Sequence, residues 1–587
     1  MRRRVFLSGA ILTGVGVPLL AGCKLPWKSK PRAGSTSAAS ASASAASSST
    51  GKAAGTAVPT ASAAPQGWQE LDAHVMGHHL GIQVSPLVRR DEKTTVLALK
   101  LTRAKDDPAV KDIADSSQDP GNNTFEATSP LGRPIHIRTF DWGATGVRLL
   151  DLPNNRVWVA TTGVENKVKD NYNKLPLKPG ESTSCFVLFG AVDAKQVTVF
   201  VPQAGFVTVD VVDKDAPTAS GVDLAAMDKA FDSVATIGYS RDMAKPKQAL
   251  EAPVTIERFA RALDNSTSTL ADNQKVTITL ASDVTFASDS ADLTPQADAQ
   301  LQTVAGKLGQ HPDGGTLTIV GHTDDIQDDA YNQTLSEKRA NAVKTRLEQL
   351  TKLDKWKTSV SGKGESEPKI KDTTDQARAA NRRVEITLTP TGGTTPKNNT
   401  TTPSSSSGSG SGSGNGGGKL PDPKGPVAKG PEGVTLTSKG SDTSGDVTIT
   451  LDQVTRSGGY LLGTLTCTVK DGSTGALLSQ LCADPQTVLA NQRDEDGGAV
   501  QTLLASDGLT LLSDGERIFP ADYVDAYNKQ HLPLTELNLY DRLKGGTTTI
   551  CVVWPDPGGD TITLDHQHHR ITNNYGYRLT DIPIKNS

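Results

Sequence analysis

Apolar and polar residues alternate in short runs over the first third of the chain. TTVLALKLTRA (94–104), GVRLLDLPNNRVWVATTG (146–163), STSCFVLFGA (182–191) and KQVTVFVP (195–202) are strand-length segments punctuated by PNN, KPGES and PQAG. The last third repeats this grammar. GLTLLSDGERIFPA (508–521) parallels the second run, and GGTTTICVVWPDPGGDTITL (545–564) parallels the third and fourth. Between them the period changes. KVTITLASDVTFASDSADLTPQADAQLQTVAGKL (275–308) predicts a strand, a loop with Phe286 and Asp292, and a helix from near Pro295 with Leu301, Val304, Ala305 and Leu308 on one face. TLTIV (316–320) predicts a strand, and YNQTLSEKRANAVKTRLEQL (331–350) a helix with Leu335, Val343, Leu347 and Leu350 inward. WKTSVSGKGESEP and NRRVEITLTP add two more strands.

This pattern predicts a multidomain α+β chain. An α/β layer at 275–392, a sheet with helices on one side, is flanked by immunoglobulin-like β-sandwich modules at 66–215 and 429–587. Residues 216–274, including VTIERFARALD, read as a connecting segment. Two compositional linkers complete the layout. Residues 23–65 carry AGSTSAASASASAASSSTGKAAG, a flexible tether whose roughly 40 residues would span ~35 Å on average. Residues 393–428 are rich in Thr, Ser, Gly and Pro, and both linkers are expected to be disordered.

The first residues set the compartment. MRRRVFLSGAILTGVGVPLLAGC has a basic n-region, an apolar stretch broken by Gly14, Gly16 and Pro18, and Leu20-Ala21-Gly22-Cys23. It resembles a lipoprotein export signal (1–22) ending in a lipobox, with Cys23 as the lipidated first mature residue. Arg3-Arg4 fits a twin-arginine route. The resemblance implies a cell-envelope location, lipid-anchored on the extracytoplasmic side: the outer leaflet of the cytoplasmic membrane in a monoderm cell, the outer membrane in a diderm one. Such compartments permit disulfides. Cys467 and Cys482 flank TVKDGSTGALLSQL and are a candidate pair, whereas Cys185 and Cys551 fall at matching strand positions and read as small buried hydrophobes. The net charge of −4 offers no nucleic-acid footprint.

The central module carries Phe286, Leu293 and Pro295, then Gly321-His322-Thr323-Asp324, Tyr331-Asn332, Leu335-Ser336, Arg339-Ala340, Gly362-Lys363-Gly364-Glu365 and Asn381-Arg382-Arg383-Val384-Glu385. With these residues it resembles the OmpA-like peptidoglycan-binding domain, also found in Pal lipoproteins and MotB-type motor proteins. Gln327 departs from the pattern, because many relatives have glycine there. The resemblance implies a pocket for the ammonium and carboxylate at the end of a diaminopimelate side chain in peptidoglycan stem peptides. Asp324 would receive the ammonium and Arg339 would grip the carboxylate with a planar fork of donors. Thr323 and Asn332 would add hydrogen bonds, Leu335 a wall contact and Arg383 a positive contact, while Asn381 and Arg382 would help build the site. The bland alternative for an Asp and an Arg so placed is a structural salt bridge.

Other clusters read as structural. His74, His78 and His79 lack a zinc-protease glutamate, and Asp328 and Asp329 do not match a calcium-loop spacing. His566 and His568 suit a solvated strand better than a metal site. No nucleophile elbow or carboxylate pair stands out, so the reading is a non-enzymatic protein with no cofactor, metal or catalytic residue. Its partners would be peptidoglycan and a membrane. In a rival reading the sandwiches recruit other exported envelope proteins, and wall binding only positions them.

Overall fold

The computed structural model describes residues 65–113, 122–132, 134–136, 139–140, 144–160, 175–226, 252–394, 420–439, 444–470, 476–482, 505–525, 531–537, 539, 542–567 and 575–587. The export signal, Cys23, the Ala/Ser-rich tether, most of the second linker and His568 lie outside these residues. The described residues belong to one compact unit, Ala64–Ser587.

The two β modules have one strand order. In the first copy the antiparallel hairpin Gln69–Val75/His78–Val84 joins Thr94–Arg103, which also pairs with Ser182–Gly190. In the second, the hairpin Val434–Lys439/Ser444–Thr450 joins Tyr460–Val469, which also pairs with Gly546–Pro555. Each copy then places a short strand parallel to its long final one: Leu87–Arg89 beside Gly205–Asp213, and Val454–Ser457 beside Tyr577–Asn586. Half-buried Cys185 faces Leu99 and buried Cys551 faces Thr464 across the equivalent pairs.

The copies do not fold around separate cores. Val75, Leu97 and Val199 of the first pack in one apolar cluster with Leu465, Ile550 and Trp554 of the second. The strand Gly546–Pro555 explains why: its middle residues are buried on both faces, which a lone two-layer module with a solvated face would not require. Polar groups stitch the seam. Tyr460 donates to Asn155 Oδ1 at 2.6 Å, and Glu536 Oε1 accepts from the backbone N–H of Gln203 at 2.8 Å and of Cys551 at 3.1 Å. Burial pushes the Glu536 carboxyl up to about 8 despite those donors.

The segment expected to be only connecting supplies strands. Val254–Thr255 pairs with Arg156–Val157 of the first copy. The next strand, β1 (Arg258–Ala262), pairs with Glu516–Ile518 of the second copy and with β2 (Thr267–Ala271). β2 pairs with β3 (Val276–Ala281), so the sheet runs unbroken into the central module.

There the order of elements is β3, α1 (Ser282–Thr285), α2 (Ala297–Gly309), β4 (Gly315–Gly321), α3 (Asp329–Leu350), β5 (Trp356–Gly362), α4 (Asp375–Asn381) and β6 (Arg383–Pro390). The strands lie in the order β5-β4-β6-β3, with β4 parallel to β5 and β6 antiparallel to both of its neighbours. Strict alternation along β3, β4 and β6 puts Ile278, Leu317, Ile319, Ile386 and Leu388 into one core with Leu301, Val304 and Leu308 of α2 and Val343 and Leu347 of α3. The helices thus cover one face, as the sequence pattern predicts.

Candidate functional site

The site forms where β4 ends and α3 begins. Asp328 caps α3, its carboxylate accepting from the N–H of Tyr331 at 2.9 Å. This N-cap role accounts for one acid of the Asp328-Asp329 pair. The helix then sits directly on the strand ends. Gly321 and Gly362 are paired across β4 and β5, and a Cβ on either would run into Ser336 of α3, at Gly362 also reaching Glu337 N at 2.5 Å. Two glycines in register therefore set how close α3 lies. One helical turn beyond Leu335, Arg339 consequently lies on the inward side, over the loop between α1 and α2.

Arg339 is 5% exposed. Its Nε donates to the Ser290 carbonyl at 2.9 Å, and its guanidinium carbon lies 5.2 Å from the centre of the Phe286 ring. Among the described residues no carboxylate lies within ion-pair distance of it. Asp283 and Asp289 act on it only through space, and burial holds its pKa below the usual guanidinium value. The terminal nitrogens, two donors in one plane, are left for something else.

Asp324 is also buried, but it is engaged. Its Oδ2 accepts from Arg382 Nη1 at 2.6 Å, and Oδ1 accepts a long bond from Ile326 N at 3.4 Å. Arg382 in turn forks onto Asp283 at 2.7 and 2.6 Å, and the two carboxylates hold its pKa well above the ordinary value. The loop after Asp324 is tied down by Asn332, whose amide nitrogen donates to Asp324 O, Gln327 O and Glu365 Oε2. Thr323 is buried beside it, and its Oγ1 meets no hydrogen-bond partner among the described residues. Leu335 is half-buried. On the rim, Ile326 is 61% exposed, and Tyr331 is exposed while donating to Asp289 at 2.7 Å.

Thus Thr323, Asp324 and Asn332 come together at one loop, and Arg339 presents a guanidinium fork nearby. Arg383 is engaged elsewhere, by Glu385 at 2.7 Å and the carbonyls of Asn381 and Glu367, beside His322, which burial and the Arg383 charge push down to about 4. The arginine that touches Asp324 is its neighbour Arg382. Asn381 builds the turn before β6, its side-chain oxygen accepting from Lys369 N and Ile370 N. Sequence reading did not assign Asp283 of α1 or Asp289 of the following loop, because nothing in the local pattern marks these acids as facing a helix about 50 residues away.

The remaining candidates are structural or lie apart. His78 is buried on Asp107 at 2.6 Å, and the same carboxylate accepts from Arg103. His566 Nδ1 meets the Tyr575 carbonyl at 2.7 Å. Cys467 and Cys482 are free thiols, both buried, with a side-chain hydrogen bond between them.

Residues 285–382 match the OmpA family model. Over 103 residues the chain is 40% identical to outer membrane porin F of Pseudomonas aeruginosa, a match covering 18% of this chain and 29% of that protein. Over 119 residues it is 39% identical to outer membrane protein A of Escherichia coli O157:H7, covering 18% of this chain and 34% of the relative. The chain therefore spans about a third of the length of these curated relatives. Among solved structures, it aligns with the peptidoglycan-associated lipoprotein from Burkholderia pseudomallei at 29% identity, over 19% of this chain and 87% of that one, with a TM-score of 0.16. The cell wall anchor of the T6SS from Pseudomonas aeruginosa aligns at 26% identity over 22% and 90%, with a TM-score of 0.19. Residues 285–382 of the central module are thus an OmpA-family domain within a longer chain.

Proposed function

We propose that this chain is a non-enzymatic envelope lipoprotein that holds peptidoglycan through its OmpA-family domain and a membrane through acyl chains on Cys23, so that it tethers one to the other. The observation that carries the wall-binding half is Arg339: a buried guanidinium with no carboxylate partner of its own among the described residues. A stem-peptide carboxylate supplies the missing charge in bidentate geometry. Asp324 receives the adjacent ammonium on the diaminopimelate side chain, sharing its carboxylate with Arg382. Thr323 Oγ1 supplies a hydrogen bond and Leu335 a wall contact. Arg383 is left out of the contact set, because Glu385 and two carbonyls already use it. Anchoring at two ends makes the second attachment intramolecular, so a modest wall affinity suffices for the tether.

The test is co-sedimentation of residues 65–587 with insoluble peptidoglycan of the diaminopimelate type and of the lysine type. Binding to the first alone, lost in Asp324→Ala and in Arg339→Ala, is the expected result. Equal sedimentation of all three proteins, or none by the wild type, would remove the pocket from the explanation.

A further inference from the structure

A second cluster of chemistry lies outside the wall site, where the strand leading to β1 crosses the second β copy. Glu257 and Asp522 face each other in an antiparallel bridge, exchanging N–H···O bonds of 2.8 and 3.2 Å. Directly opposed residues project from the same face of a sheet, so the register forces two carboxylates together. Beyond them Asp522 pairs with Pro533 and Val524 with His531, which makes His531 the diagonal neighbour of Asp522 on that same face. Its Nδ1 lies 3.2 Å from Glu257 Oε2 and 3.8 Å from Asp522 Oδ1, and one donor atom from each of the three residues falls within 4.8 Å of the others.

We propose that Glu257, Asp522 and His531 hold a divalent transition-metal ion, with Zn²⁺ as the best fit. One imidazole nitrogen with two carboxylate oxygens is a zinc-type donor set, and donors about 2.0–2.2 Å from a tetrahedral ion stand roughly 3.3 Å apart, a spacing the His531–Glu257 pair already has and which a small closing movement gives the other pairs. The Asp522 side chain is fully buried, so the donor set is held in place by the sheet register and the packing around it. The side chains of Glu257 and His531 are 18% and 12% exposed, which leaves one side open for entry and for a fourth, solvent ligand. The neighbouring Ile256 and Tyr523 belong to the apolar cluster between the two β copies. An ion here would therefore staple the strand that joins first copy, second copy and wall-binding domain.

The test uses residues Lys24–Ser587, stripped with EDTA and dialysed against Zn²⁺, with bound metal counted by mass spectrometry and melting followed in parallel. One ion per chain and a rise in Tm of several degrees are expected, with both lost in Glu257→Gln and in His531→Gln while far-UV circular dichroism shows each variant folded. No uptake by the wild type would overturn the assignment. So would one ion per chain retained in both variants, because that ion would sit elsewhere, such as at the histidines from His566 onward.

Discussion

Replacing Arg339 by methionine separates a binding role from a structural one, because the two roles predict opposite signs for stability. Methionine follows a similar unbranched path into the space and carries no charge. The folded protein loses the bond to Ser290, worth about 1 kcal/mol, and the contact over Phe286, worth roughly 0.5–2 kcal/mol. Against this it is relieved of a buried cation that no carboxylate within ion-pair distance compensates among the described residues, a burden of several kcal/mol even after relaxation. The balance is neutral to stabilising by about 1–2 kcal/mol. Wall binding, by contrast, loses a bidentate charged contact worth about 2–5 kcal/mol, or roughly 30-fold to several-thousand-fold in affinity. Urea unfolding monitored by tryptophan fluorescence gives the first number, and sedimentation isotherms on diaminopimelate-type peptidoglycan give the second. A variant that unfolds 3–5 kcal/mol more easily, or one that binds like wild type, would show that Arg339 holds the fold and not a ligand.

Gly362→Ala puts a methyl group against Ser336 and Glu337, so α3 must lift from β4 and β5; a loss of about 1–3 kcal/mol in denaturant unfolding is expected, with wall binding falling as Arg339 moves. Glu536→Gln tests the seam between the β copies. The carboxyl stays protonated in the fold up to about pH 8 but ionises near 4.5 when unfolded, so stability falls as pH rises between those values and levels off above. The slope should be on the order of 1 kcal/mol per pH unit and should flatten in the variant, as read by urea midpoints from pH 5 to 9. Cys467 and Cys482 are already neighbours, so exported protein should carry them as a disulfide, seen as a 2 Da loss under non-reducing mass spectrometry; closing so short a loop is worth about 3 kcal/mol, which Cys482→Ser would remove.

The central module was legible because its two periods are clean. Alternation in VTITLA and TLTIV and the spacing of Leu301, Val304 and Leu308 leave little choice of strand or helix, and a string of ordered motifs marked Asp324 and Arg339. Arg382 and Arg383 were harder, being adjacent and identical in type. Only the register decides between them: Arg383 pairs with Ala281 inside β6 and turns to Glu385, while Arg382 precedes the strand and reaches both Asp324 and Asp283. The shared β core was not legible for a different reason. Periodicity reports that a face is covered but not by what. The clue was present in ICVVW, an uninterrupted apolar run that suits a strand covered on both faces.

The strands before the domain change what the proposed tether is. Two modules on a flexible linker would pass little of a pull on the wall from one to the other. Here β3 of the OmpA-family domain is hydrogen-bonded to β2, β2 to β1, and β1 to Glu516–Ile518, so a load on Arg339 reaches the second β copy through continuous main-chain ladders. The first copy is joined by Val254–Thr255 and by the common apolar core. Ladder bonds loaded side by side share force, whereas a linker only extends. Cutting the domain out at residue 275 would strip β2 from β3 and leave an unpaired edge. The mechanical unit of the proposed tether is therefore the fused body that begins near residue 65, with the OmpA-family domain as its proposed grip.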